Sequence, residues 1–246
     1  MNKPKVLKEA IQKVSHTTRP ERIFYIFDLD STLFDNHPRT KAILDEFGQT
    51  IVPEHFPHHE ERWCELEMAP EDWGPLTSLQ RLHDFEPELL EAAEKFWAQR
   101  FFSNDYVQFD VPYPGAVHFV NSLHQRGASV GYLTGRDEPR MGHGTRSSLK
   151  SYGFPLLEKH VHLALKSSLS VKDVEHKLDY FEQVFSNFDE IWFFENEPMI
   201  VKALEDRFPQ LRLIFVDTTH SGKAKKPSHL SHVTGDYTLS SEQNTQ

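Results

Sequence analysis

Short unbroken apolar runs alternate along this chain with stretches whose apolar residues return every third or fourth position. The first pattern suits strands buried on both faces of a parallel sheet, the second helices with one packed stripe. Val6, Leu7, Ala10, Ile11 and Val14 predict a packing helix over residues 3–15. A polar turn with Pro20 follows, and then Ile23-Phe24-Tyr25-Ile26-Phe27 predicts the first buried strand. That strand runs straight into Asp28-Leu29-Asp30-Ser31-Thr32. Ionised carboxylates are costly to bury, so both aspartates are expected where the strand ends and meets water or a cation.

After Thr32 the pattern changes. Asn36-His37-Pro38-Arg39-Thr40 reads as a turn, and residues 41–47 as a short helix stopped by Gly48. Residues 50–87 are rich in Pro, His, Glu and Trp and show no period. Leu89, Leu90, Ala93, Phe96, Trp97 and Phe101 then form the stripe of a strong helix over 89–102. Residues 36–111 therefore read as a mostly helical insertion. Its His55, His58 and His59 lack fixed ligand partners in sequence and read as solvated or hydrogen-bonded histidines. The aromatics Trp63, Trp73, Phe96, Trp97, Phe101 and Phe102 read as core before they read as pocket.

Pro112-Tyr113-Pro114-Gly115 marks the return to the main body. A helix is expected over 116–125 with Gly127 as its stop, then a strand, Ser129-Val130-Gly131-Tyr132-Leu133. Further expectations are a helix over 146–152 closed by Gly153 and a strand over 160–165. Ser170-Val171-Lys172-Asp173 resembles a capping box opening a helix to about residue 185. A strand over 190–194, a helix over 199–208 and a strand over 212–216 complete the series. From residue 223 the chain reads as a polar, poorly ordered tail. Strands alternating with helices predict an α/β fold, a Rossmann-like parallel sheet with helices on both faces. The discontinuous core is 1–35 plus 112–222, the cap 36–111 and the tail 223–246.

A formal net charge of -10 leaves no electrostatic footprint for nucleic acid or an anionic membrane. The single cysteine, Cys64, can form no internal disulfide and reads as a buried structural residue. With no apolar leader in the first nineteen residues, a cytoplasmic protein is expected.

The chemistry collects at strand ends. The first supplies Asp28 and Asp30, the second Thr134, Gly135 and Arg136, and a later one Glu195, Asn196 and Glu197. In a parallel sheet these clusters share one rim, where ligands of open α/β folds bind. Paired carboxylates there can hold a hard cation such as Mg²⁺.

Asp-x-Asp-x-Thr after a hydrophobic strand, then hydrophobic-Thr-Gly-Arg, then a lysine, then an acidic strand end resembles the haloacid dehalogenase-like hydrolase superfamily. The helical insertion is similar to its C1-type cap, a lid over the site. The resemblance implies a phosphatase acting on a small phosphorylated metabolite. Asp28 would be the nucleophile that becomes an aspartyl-phosphate, and Asp30 the general acid and then base. Asp28, Asp30, Glu195 and Asn196 would hold Mg²⁺. Thr134, Gly135, Arg136 and Lys177 would hold the phosphate, with Lys166 and Lys172 as competitors for the lysine. Arg136 divides evenly between a substrate contact and a structural salt bridge. Glu195-Asn196-Glu197-Pro198 is similar to the Asp-Asn-x-Pro version of the last motif, with Glu in the first place. The alternatives are a phosphatase for nucleic-acid or protein phosphate ends, and a catalytically silent scaffold. The acidic charge and the cap oppose the first, and the intact Asp28, Asp30 and Thr134 the second.

Overall fold

The computed structural model describes residues 3–239. In chain order its elements are helix α1 (Lys3–Ser15), strands β1 (Ile23–Phe27) and β2 (Phe34–Asp35), and helices α2 (His37–Thr50), α3 (Val52–His55), α4 (Glu60–Trp63), α5 (Pro75–Leu82) and α6 (Pro87–Phe101). Then come β3 (Val111–Pro112), α7 (Ala116–Gln125), β4 (Ser129–Asp137), α8 (Glu138–Ser151), β5 (Val161–Lys166), α9 (Asp173–Val184), β6 (Glu190–Glu195), α10 (Pro198–Arg207), β7 (Arg212–Val216) and β8 (Ser231–Val233).

Six strands form one parallel sheet in the order β5-β4-β1-β6-β7-β8. From β1 the chain builds outward through β4 to β5, then crosses back and builds the other way through β6. The strand order therefore reverses at β1, and a reversal opens a crevice at the carboxyl ends of the strands. Every residue of β1 is buried. Ile23, Tyr25 and Phe27 pack on one face with α1 and α7, and Phe24 and Ile26 on the other with α9 and α10. That two-sided burial is why β1 reads as an unbroken apolar run.

Two linkers leave this body side by side, as β2 pairs antiparallel with β3 through Phe34–Pro112 and Asp35–Val111. Beyond them the helical segment has its own core of Leu44, Phe47, Trp63, Leu79, Phe85 and Leu89.

Several local expectations are corrected. The turn expected at residues 36–40 is instead the start of α2, because Pro38 sits in a first turn that needs no N–H donor. Gly48 lies within α2, where the Trp63 ring fills the space a Cβ would need. Helix α8 starts at Glu138, capped by Asp137, whose carboxylate accepts from the Arg140 N–H. Gly142 and Gly144 inside it hid its period, and the Asn104 carbonyl lies 2.6 Å from where a Gly144 Cβ would stand. No capping box forms at Ser170, since α9 opens at Asp173 without a side-chain cap. Cys64 is exposed rather than buried, as are Trp73 and Phe102, while Trp63 is core. The region expected to be a loose tail adds β8 to the sheet edge and buries Tyr237, whose hydroxyl donates to the Thr32 carbonyl at 2.9 Å. Residues 240–246 lie outside the described residues. Among the described residues, no helix is long and apolar enough to cross a membrane.

Candidate active site

Phe27 pairs with Tyr132 of β4 and Phe194 of β6, so Asp28 leaves β1 at the level of Leu133 and Glu195. The Asp28 N–H still donates to the Phe194 carbonyl, at 3.0 Å. One residue further along β6 is Glu195, and Thr134 continues β4 beyond Leu133. The sheet thus gathers the expected clusters at one rim.

Lys177 rises from α9 into this rim and is buried. Its ammonium donates to Asp28 Oδ1 at 2.7 Å and to Glu195 Oε2 at 2.6 Å. Lys166 instead pairs with Asp173, and Lys172 lies on the surface beside Glu175. Of the three lysines the sequence offered, Lys177 is the one that reaches Asp28.

Two buried carboxylates share that single ammonium. Burial pushes the Asp28 carboxyl up to about 8, with Glu195 and Asp30 adding to the rise and Lys177 opposing it. Burial raises Glu195 in the same way, against Lys177. Burial alone would lower Lys177, but the two carboxylates hold it charged well above its ordinary range. Negative charge is therefore in excess around Asp28.

Asp30 lies in a different environment. Arg136 grips it with both arms of its fork, Nε to Oδ2 at 2.8 Å and Nη2 to Oδ1 at 2.8 Å. Arg39 Nη2 and Asn36 Nδ2 also donate to Oδ1, at 3.0 and 2.8 Å. Burial works to raise Asp30, but the two guanidiniums outweigh it and hold the carboxyl well below the usual range. Both arginines also donate to the fully buried Asp110: Arg39 through Nε at 2.7 Å and also Nη2, and Arg136 through Nη2 at 2.7 Å. Arg136 is thus engaged as a salt bridge.

Asn196 is held on both ends of its amide. Its Oδ1 accepts from the Thr32 hydroxyl at 3.1 Å, and its Nδ2 donates to the Thr219 carbonyl at 2.7 Å. Glu195 Oε1 accepts from the Glu197 N–H at 2.9 Å. The buried Thr134 hydroxyl accepts from the Arg136 N–H at 3.3 Å. Gly135 is needed for space, since the Asp173 carboxylate lies 2.6 Å from where its Cβ would stand.

Arg39, Asp110, Asn36 and Thr219 escaped the sequence reading. Arg39, in the first turn of α2, and Asp110, just before β3, stand 71 residues apart at the two ends of the helical segment, and no spacing rule joins them.

The donor set suits a hard cation. Asp28 and Asn196 offer side-chain oxygens at one rim, beside an excess of negative charge that one lysine leaves unbalanced. Among the described residues no hydrogen bond engages Asp28 Oδ2. Both Asp30 oxygens already accept hydrogen bonds, from Arg136, Arg39 and Asn36. Glu195 likewise has both oxygens engaged, by Lys177 and the Glu197 N–H.

A family model described as haloacid dehalogenase-like hydrolase matches residues 25–211. The chain belongs to the haloacid dehalogenase-like hydrolase family. The match runs from within β1 to the residue before β7 and so includes Asp28, Asp30, Thr134, Lys177, Glu195 and Asn196. Among solved structures of similar fold is a candidate phosphatase from Clostridium difficile, with TM-score 0.54 and 13% identity over 85% of this chain and 92% of that one. Another is Protein Tyrosine Kinase A from Mycobacterium tuberculosis, with TM-score 0.52 and 16% identity over 87% and 93%. A third is CbbY from Rhodobacter sphaeroides in complex with phosphate, with TM-score 0.49 and 13% identity over 87% and 94%. At these identities the first two structures share the fold with this chain and no more. No curated protein matches the chain by sequence.

Proposed function

We propose that this family member is a Mg²⁺-dependent phosphatase that hydrolyses a phosphomonoester of a small metabolite through an aspartyl-phosphate on Asp28. The observation that carries the reading is the Asp28 carboxylate: Lys177 holds Oδ1 at 2.7 Å, while Oδ2 has no hydrogen-bond partner among the described residues. A nucleophile so held presents one oxygen in a fixed direction.

Asp28 Oδ2 attacks phosphorus, the bond from phosphorus to the leaving oxygen breaks, and that oxygen takes a proton from Asp30. Water then attacks phosphorus, its proton passes to Asp30, the bond to Asp28 breaks and inorganic phosphate leaves. Splitting one displacement in two lowers each barrier, and a positioned acid or base contributes about 10²–10⁴-fold. The Arg136 fork keeps Asp30 ionised, which suits the second step. The first step requires Asp30 to take up a proton from solvent as Arg136 loosens its grip, while the incoming phosphoryl oxygens compete for the same guanidinium donors. Lys177, Thr134 and Gly135 border the space for those oxygens. Asp28 and Asn196 would hold Mg²⁺, which when bound neutralises repulsion between Asp28 and the phosphate.

The helical segment over 36–111 acts as the cap and selects a small substrate. The chain's acidity argues against polymeric phosphate ends. One exposed cysteine agrees with a reducing, cytoplasmic setting. A catalytically silent scaffold is the competing reading, favoured by the ion-paired Asp30. Phosphate release from a panel of phosphorylated metabolites, with and without Mg²⁺, decides between them. Release that requires Mg²⁺ and Asp28 supports the phosphatase. Absence of both turnover and calorimetric Mg²⁺ binding leaves the scaffold.

A further inference from the structure

Adjacent histidines in the helical segment face one carboxylate that lies far along the chain. Pro57–His59 is a single tight helical turn, and Glu86 stands just before α6, where its carbonyl receives the first N–H groups of that helix. His59 Nε2 is hydrogen-bonded to one Glu86 oxygen, and His58 Nε2 lies 3.4 Å from the other. One ligand atom from each of the three residues falls within a span of 4.8 Å.

We propose that His58, His59 and Glu86 form a binding site for a borderline divalent cation such as Zn²⁺, built entirely from this helical segment. Two imidazoles and a carboxylate are the donor set that suits zinc and its neighbours rather than Mg²⁺. Ligands at about 2.0–2.1 Å from a tetrahedral zinc stand about 3.4 Å from one another, which is the His58–Glu86 separation. Three protein ligands leave a fourth position for water or an incoming group.

The ligands are anchored by packing. The His59 ring meets the Phe85 ring edge-on at 4.9 Å and the His83 ring at 5.8 Å. Phe85 in turn packs on Trp63, in the core of the segment. The His58 and His59 rings lie 4.1 Å apart with both Nε2 atoms turned to Glu86. A cation between those groups satisfies three lone pairs at once, whereas the bare carboxylate pairs closely with His59 and stays 3.4 Å from His58.

The test uses the full chain in excess Mg²⁺, titrated with Zn²⁺ by calorimetry and with Co²⁺ by visible absorption. The wild type is expected to take up one Zn²⁺ per chain at this site and to show tetrahedral Co²⁺ bands. Asp28→Asn retains both. His58→Ala, at an exposed position where folding is not at stake, loses both. Glu86→Gln weakens binding by more than the about 10–100-fold that loss of an outer partner costs. Absence of stoichiometric Zn²⁺ uptake by the wild type, or uptake by His58→Ala equal to the wild type, overturns the proposal.

Discussion

Arg136 and Asp30 form a two-point ion pair across the mouth of the sheet, with both nitrogen–oxygen distances at 2.8 Å. It joins the end of β4 to the loop after β1, and Arg39 and Asp110 tie the same cluster to the two ends of the helical segment. Proton transfer by Asp30 is therefore coupled to how these arginines are placed.

Replacing Arg136 by Ala tests that coupling. The alkaline limb of the kcat/KM profile is expected to move to higher pH, because Asp30, which must carry a proton in the first step, loses the cation that depresses it. The buried Asp110 also loses a partner, so stability should fall by about 3–5 kcal/mol. Chemical unfolding and a pH–rate series measure the two effects separately.

Asp28→Asn is expected to lower turnover by about 10⁴-fold or more, since a carboxamide cannot act as the nucleophile. The metal-free variant should melt no lower than the wild type, because a buried carboxylate that shares one lysine with Glu195 has been neutralised. Phosphate release and thermal melting check the two halves. Near-normal metal-dependent activity would remove Asp28 from the reaction.

The metal-free protein should lose stability as the pH climbs towards about 8. A carboxyl whose folded value is raised, as that of Asp28 is to about 8, binds its proton more tightly folded than unfolded. Raising the pH from the ordinary aspartate range through about 8 removes that proton and with it the advantage. Asp30 behaves oppositely: its depressed carboxyl contributes stability above the ordinary aspartate range that is lost on acidification below it. Mg²⁺ at the rim should displace the Asp28 proton. Calorimetry in two buffers of different ionisation heat near pH 7 should therefore record proton release on Mg²⁺ binding. Binding without proton release, or a melting temperature unchanged across this range, would contradict the raised Asp28.

Tyr237→Ala tests the ordered end of the chain. Its ring packs fully buried beside Phe119 and its hydroxyl serves the Thr32 carbonyl. Truncation should cost about 3–5 kcal/mol, as for other large buried rings. It should also loosen Thr32, which holds Asn196, so Mg²⁺ affinity is expected to weaken. Melting and Mg²⁺ titration of the same variant check both.

Much of this molecule is legible in the order of its residues. The apolar runs that became β1, β4, β6 and β7 are buried on both faces, and such strands carry their signal locally. Residues 3–15 show their packed stripe equally well. The starts of α2 and α8 do not: Pro38 is read as a breaker although a first turn needs no N–H donor there, and Gly142 and Gly144 hide the period of α8, the latter serving a close approach of Asn104 from far along the chain. β8 is equally silent: an edge strand of three residues has too few positions to show a period.

By itself the sequence determined an α/β chain whose parallel strands end in Asp28, Asp30, Thr134, Glu195 and Asn196, because strand direction alone brings such ends to one rim. Only the tertiary structure decided which charges meet there. It set Lys177 between Asp28 and Glu195, locked Asp30 to Arg136 and Arg39, and brought Asp110 back from the far end of the helical segment. Ion pairs form wherever folding leaves opposite charges within reach, and separation along the chain neither favours nor forbids them.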